Sequence, residues 1–155
     1  TIKMKGGAKM YEKVLVPLDG SELAECALPH VMNLVKKGVV EEIILLEVID
    51  IPSVLLEEGF DLISLKNGQM KKANQYLNEV QARLSAEGAK VRTQILEGDT
   101  AHSIIDYAKE KDVNLMVIAT HGYTGMKRLM FGNVALQILH DAHVPVLLIR
   151  PEACR

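Results

Sequence analysis

The stretch that most constrains the fold of this chain is VNLMVIATHGYTGMKRLMFGNVALQILHDAHVPVLLIR, residues 113–150. Leu115 to Ala119 is an apolar run too short for an independent helix and rich enough in β-branched residues for a buried strand. A loop with Gly122, Gly125 and Gly132 follows. Val134, Ala135, Ile138, Leu139 and Ala142 then share one face of a helix beginning near Asn133. Pro145 stops that helix, and Val146 to Ile149 reads as a second buried strand. A strand, a glycine loop, a helix and a strand in this order suit an anion. Glycine lets backbone N–H groups approach phosphate oxygens, and a helix starts with unpaired N–H groups and a partial positive charge.

The rest of the chain repeats the alternation. Tyr11 to Pro17 is the first strand, and the turn Leu18-Asp19-Gly20-Ser21 leads into a helix that Ser21 caps. Leu23, Ala24, Ala27, Leu28, Val31, Leu34 and Val35 form its apolar stripe. Pro29 should kink or shorten it, and Gly38 ends it. Glu42 to Ile49 is the second strand. Asp50 to Asn67 has no clean period and reads as a loop with a helical turn, a candidate flap. From about Gly68 to Ala86, Met70, Ala73, Leu77, Val80 and Leu84 form an amphipathic seam. Lys90 to Leu96 alternates like an edge strand, Asp99 or Thr100 caps a third helix, and Ala101, Ile104, Ile105 and Ala108 face its core. Strict β-α alternation implies one parallel sheet with helices on both faces, and ligands then bind beyond the carboxyl ends of strands where the strand order reverses.

Composition excludes other classes. The 155 residues fit one domain, and 48% hydrophobic content is enough for a full core. Eighteen basic against 20 acidic residues make no field that would draw nucleic acid or an anionic membrane. No apolar run approaches the ~20 residues of a membrane span. Residues 1–10 read as a flexible leader, 11–151 as the domain and 152–155 as a tail. Two cysteines, Cys26 in a helix and Cys154 in the tail, give no disulfide framework. A bridge between them is not expected, and a reducing cytoplasm is the expected setting.

Four blocks, VLVPLDGS, LLEVID, THGYTGMKRLMFGNVA and VPVLLIRP, resemble the universal stress protein family over Tyr11 to Pro151. The signature is the adenine-nucleotide motif G-x2-G-x9-G-[S/T], with Gly122 and Gly132 as its second and third glycines. The resemblance implies a doubly wound, Rossmann-like, five-stranded parallel sheet in the order 3-2-1-4-5. It implies a homodimer through Val146 to Arg150, and ATP with Mg or Mn on its phosphates. By position, Pro17, Leu18 and Asp19 would line adenine and ribose, and Val48 would pack on adenine. Ile118 and Ala119 would form the pocket floor. Gly122, Gly125, Gly132, Asn133 and Val134 would hold phosphates beside His121. Two positions depart from the motif. Ala119 replaces the first glycine, and Asn133 replaces Ser/Thr and is also a strong N-cap.

No catalytic residue follows from the pattern. His121 lacks a partner pair, His140 and His143 lack a third ligand, and the loop lacks the G-x4-G-K-[S/T] order. Lys127 and Arg128 could screen phosphate charge or simply be solvated. The expected function is an ATP-binding, dimeric regulatory module that is not an enzyme. The alternatives are a dimeric interaction protein without nucleotide and a slow ATPase.

Overall fold

The computed structural model describes residues 9–52, 55, 58, 59, 61–120 and 130–154. Five parallel strands, β1 (Tyr11–Pro17), β2 (Val40–Ile49), β3 (Val91–Glu97), β4 (Leu115–Ala119) and β5 (Val146–Ile149), form one sheet in the order β3-β2-β1-β4-β5. The helices are α1 (Glu22–Glu25), α2 (Leu28–Lys36), α3 (Leu62–Ala86), α4 (Thr100–Glu110) and α5 (Met130–Asp141), with a final 3-10 turn at Pro151–Cys154.

Period-two alternation sends the central strands' side chains into two separate cores. Val14, Val16, Ile43, Leu45 and Val117 pack under α1, α2 and α3, against Val31, Leu77 and Val80. Leu15, Ile44, Leu46, Met116 and Ile118 pack under α4 and α5, against Ile104, Ala108 and Ile138. The strands in the middle are therefore apolar on both faces. β3, at one edge, is buried only at Val91 and half-buried along its middle, as its alternating sequence requires. No helix among the described residues is long and apolar enough to cross a membrane.

Proline and caps set the helix boundaries. Pro29 falls at the N-terminal end of α2, where its missing N–H costs nothing, so the expected single helix becomes α1 followed by α2. Ser21 Oγ accepts from the Ala24 N–H at 3.1 Å, and of the two cap candidates for α4, Asp99 accepts from the His102 N–H at 3.0 Å.

Four expectations are corrected. Residues 62–67 are helical, because Asp61 caps α3 through the Ser64 N–H at 3.2 Å. Gly68 lies inside that helix, and Ile63 is 75% exposed, which blurs the apolar period there. Residues 53, 54, 56, 57 and 60 of the expected flap, and leader residues 1–8, lie outside the described residues. β2 begins at Val40 rather than Glu42, because Val40 pairs with Tyr11 of β1 and is buried; Glu42 is buried too, balanced by Lys90 Nζ at 3.2 Å and Arg92 Nε at 2.5 Å. α5 begins at Met130, so Asn133 lies inside the helix and does not cap it. Cys26 and Cys154 form a disulfide, with Cα atoms 5.1 Å apart. Sequence spacing hides that pairing, because it joins residues 128 apart, one just after α1 and one in the turn after β5.

Leu77 is fully buried between α3 and the sheet, whereas Ile63 in the same helix faces solvent. Leu77→Ala should lower unfolding free energy by about 2–5 kcal/mol, and Ile63→Ser by less than ~0.5 kcal/mol. Urea titration of both variants checks the contrast; equal losses would mean the start of α3 is packed.

Candidate functional site

The site lies where β1 and β4 part. At their amino ends the strands are tied: Asn114 Oδ1 accepts from the Lys13 N–H at 2.8 Å, and the Asn114 N–H donates to the Lys13 carbonyl at 2.9 Å. Pairing continues through Val14–Leu115 and Leu15–Met116. Lys13 thus faces β4, while the Leu18 N–H faces β2 and donates to the Leu46 carbonyl at 2.8 Å. Backbone direction alternates along a strand, so position 17 faces β4, and Pro17 has no N–H to give. The ladder to β4 stops before this proline, while Val16 and Pro17 still pair with β2 and Val117 to Ala119 with β5. A crevice opens at the carboxyl ends, at the reversal of strand order.

Two side chains shape the turn that follows. Asp19 Oδ1 accepts from the Ser21 N–H at 2.9 Å and from the Ser21 hydroxyl at 2.5 Å. Gly20 between them has φ +84°, a conformation a side chain would strain. Asp19 lines the hollows on both sides of the turn, and among the described residues it forms no ion pair.

Of the residues the sequence singled out, Pro17, Leu18, Asp19, Val48 and Val134 line one narrow cleft, together with Leu46, Thr100 and Ile104. Residues of β1, β2, α4 and α5 meet there. Ile118 is fully buried among the α4–α5 layer beneath it. Ala119 belongs to the opposite layer, with Leu18 and Ile149, so its methyl group points toward the α1 side and away from Ile104 and Ala135. Asn133 is exposed on α5. Gly132 falls within α5, and His121, Gly122, Gly125, Lys127 and Arg128 lie outside the described residues. Among the described residues no group of three or more His, Cys, Asp or Glu side chains is arranged to hold a metal ion.

A second hollow of about 410 Å³ adjoins the same turn on the α3 side, lined by Asp19, Glu47, Asp50, Gln69, Lys72 and Tyr76. The sequence pattern does not flag it, because Glu47 sits within an apolar strand and Tyr76 within a helical seam. Burial, with Asp19 nearby, raises the Glu47 carboxyl from 4.5 to about 7 against the opposing pull of Lys72. Its Oε2 and the Tyr76 hydroxyl are both buried without a hydrogen-bond partner among the described residues. Burial, with Glu25 nearby, holds the Tyr76 phenol above its ordinary range.

A parallel sheet wound outward from β1, with helices on both faces and a cleft at its switch point, defines a doubly wound, Rossmann-like α/β protein. The universal stress protein family model matches residues 10–150, and the chain belongs to that family. It is 33% identical to universal stress protein MJ0531 of Methanocaldococcus jannaschii, over 95% of this chain and 86% of the relative. The solved structure of MJ0577, a universal stress protein of the same organism, superposes with a TM-score of 0.78 at 33% identity, covering 91% of this chain and 96% of the other. A universal stress protein solved in complex with cAMP shares the fold, with a TM-score of 0.65 at 17% identity over 91% of this chain and 98% of the other.

The raised Glu47 value fixes the sign of a pH effect. The folded state holds this proton more tightly than the unfolded chain, so the stabilisation is complete below pH 4.5 and is lost as pH rises through about 7. Glu47→Gln keeps the shape and removes the charge. It should stabilise the protein at pH 8, by at most on the order of 3 kcal/mol, and change little at pH 4.5. Urea midpoints of both proteins from pH 4.5 to 8 test this; parallel curves would count against the burial of a carboxylate there.

Proposed function

We propose that this chain is an ATP-binding regulatory module that acts as a homodimer in the cytoplasm and catalyses no reaction of its own. One observation carries the reading. Pro17, Leu18, Asp19, Val48 and Val134, drawn from four separate elements, converge on one cleft at the switch point. Val48, Leu46 and Ile104 supply an apolar wall suited to a purine, and Asp19 a carboxylate suited to ribose hydroxyls. The phosphates would extend toward Gly122, Gly125, Gly132 and Asn133, with His121 beside them and Mg or Mn bridging their oxygens. The orientation of the Ala119 methyl supports this reading, since it lies in the other layer. The relative solved with cAMP supports a nucleotide as the class of ligand. Dimerisation would use Val146 to Arg150: β5 is an outer strand, and its Leu147 is 38% exposed.

The alternative, a family dimer that carries no nucleotide, has its own support. Among the described residues the cleft holds only about 10 Å³, room for about one water, so a purine requires Val48 and Val134 to separate. A slow ATPase has no observation in its favour: among the described residues lining the cleft, Asp19 is the one titratable group, and its Oδ1 is engaged by Ser21.

Mg-ATP at ~100-fold excess over its Kd should add ~2.7 kcal/mol to unfolding free energy. Val48→Arg, which fills the purine wall, should abolish that gain while the unliganded protein still melts cooperatively. Differential scanning calorimetry with and without Mg-ATP decides between the two readings, and an unchanged wild-type melt favours the second.

Leu147→Glu should convert the dimer to a monomer in sedimentation equilibrium, because a charge on the outer strand opposes edge pairing. A dimer that persists at the wild-type dissociation constant would move the interface away from β5.

A further inference from the structure

The disulfide joins two environments that differ in a useful way. Cys26 follows the last residue of α1, is 4% exposed and belongs to the buried cluster that contains Leu18, Ala119 and Ile149. Cys154 lies in the exposed final turn. The bond spans a sequence separation of 128 residues, and the chain has no third cysteine. It therefore pins the segment after β5 beside the carboxyl ends of β1 and β4 and has no other thiol with which to exchange.

α1 is the element this bond controls. With four residues, it is far too short to persist on its own. Its amino end is held by the Asp19–Ser21 turn and the Ser21 cap, and its carboxyl end by the disulfide. The Arg83–Glu25 ion pair reaches it from α3. Removing one of these restraints loosens the helix that begins at the turn of the candidate site.

We propose that the Cys26–Cys154 pair is a thiol–disulfide exchange site, opened by small dithiols at Cys154, that releases the C-terminal turn and loosens α1. The chemistry balances. An external thiolate attacks the exposed Cys154 sulfur, a mixed disulfide forms, and the S–S electron pair leaves on Cys26. Cys26 takes a proton from solvent. The Glu22 carbonyl oxygen, 3.6 Å from its sulfur, then accepts the new thiol hydrogen, so the buried thiol is not left without a partner. The second thiol of the dithiol attacks the mixed disulfide and leaves as a cyclic disulfide, and Cys154 is freed as thiolate. Two electrons pass from the dithiol to the protein. The inference does not depend on a nucleotide, because the tail and α1 are its readout.

The full chain, purified without reductant and denatured in N-ethylmaleimide, should carry no adduct, and after dithiothreitol it should carry two. Hydrogen exchange followed by mass spectrometry should show several-fold faster exchange in 22–26 and 150–155 after reduction, with β2 unchanged. Cys154→Ser should reproduce the reduced pattern while leaving the buried Cys26 in place. Glutathione trapped as a mixed disulfide should be found on Cys154. The inference is overturned by two free thiols that oxidised glutathione cannot pair, by trapping at Cys26, or by identical exchange in the oxidised, reduced and Cys154→Ser proteins.

Discussion

The structure depends on the backbone of β1 having partners on both sides for part of its length and on only one side after that. As the central strand it is buried on both faces, so each of its polar main-chain groups requires a neighbour. β2 supplies one along nearly the whole strand, and β4 supplies the other only as far as Leu15–Met116. Pro17 ends the second ladder by lacking a donor at the position that faces β4. A parallel sheet would otherwise close over its carboxyl end. Here a single residue type withholds one hydrogen bond, and the two strands are free to send their chains to opposite faces.

That parting allocates space to the elements around it. The chain leaving β1 turns at Gly20 into α1 on one layer, while α5, which follows β4 in the chain, packs on the other. The cleft residues come from both exits and from the ends of β2 and α4, so no single segment contains the site. Asp19 is shared between the narrow cleft and the wider hollow under α3. Its carboxylate raises the proton affinity of Glu47 across that hollow. The charge state on one side of the turn is thereby tied to whatever approaches Asp19 from the other, since a cationic or hydrogen-bonding partner for Asp19 would weaken its push on Glu47.

The legible part of the fold was the part governed by short-range chemistry. Val14 to Val16 and Leu115 to Ala119 are apolar on every residue because both faces are covered, and this continuous pattern separates buried strands from the alternating edge strand Val91–Glu97. Ser21 and Asp99 act as caps because their side chains reach the backbone N–H groups three residues on. That Pro17, Leu18, Asp19, Val48 and Val134 meet in one cleft was suggested for the Pro17–Asp19 turn by its place after the first strand, and for Val48 and Val134 only through family resemblance. The failures have physical causes too. The first turn of α3 exposes Ile63, so its apolar residues do not report a buried face, and Gly68 is tolerated inside a 25-residue helix whose remaining turns are anchored by Leu77, Val80 and Leu84. The Cys26–Cys154 bond is a contact between the two ends of the fold, and contacts of that kind leave no periodic trace.

Glu47 shows why an apolar pattern can conceal a hollow lined by polar groups. In β2 it follows Leu45 on the face toward α3, and the next residue on that face, Ile49, is buried again. A strand in this position has no structural need for a carboxylate, and burial makes the charged form costly enough to raise its proton affinity well above that of an ordinary glutamate. Leucine there would be cheaper for folding. Glu42, on the same strand but the opposite face, is buried, and Lys90 and Arg92 balance it at close range. Glu47 has no comparable pair among the described residues: Lys72 acts on it only weakly, and its Oε2 stays unpartnered. Two glutamates five residues apart thus lie on opposite faces of β2, Glu42 buried and Glu47 half-buried. One is neutralised and serves the sheet edge, and the other keeps an open acceptor toward a hollow large enough for a ligand group, next to the turn on which the candidate site is built.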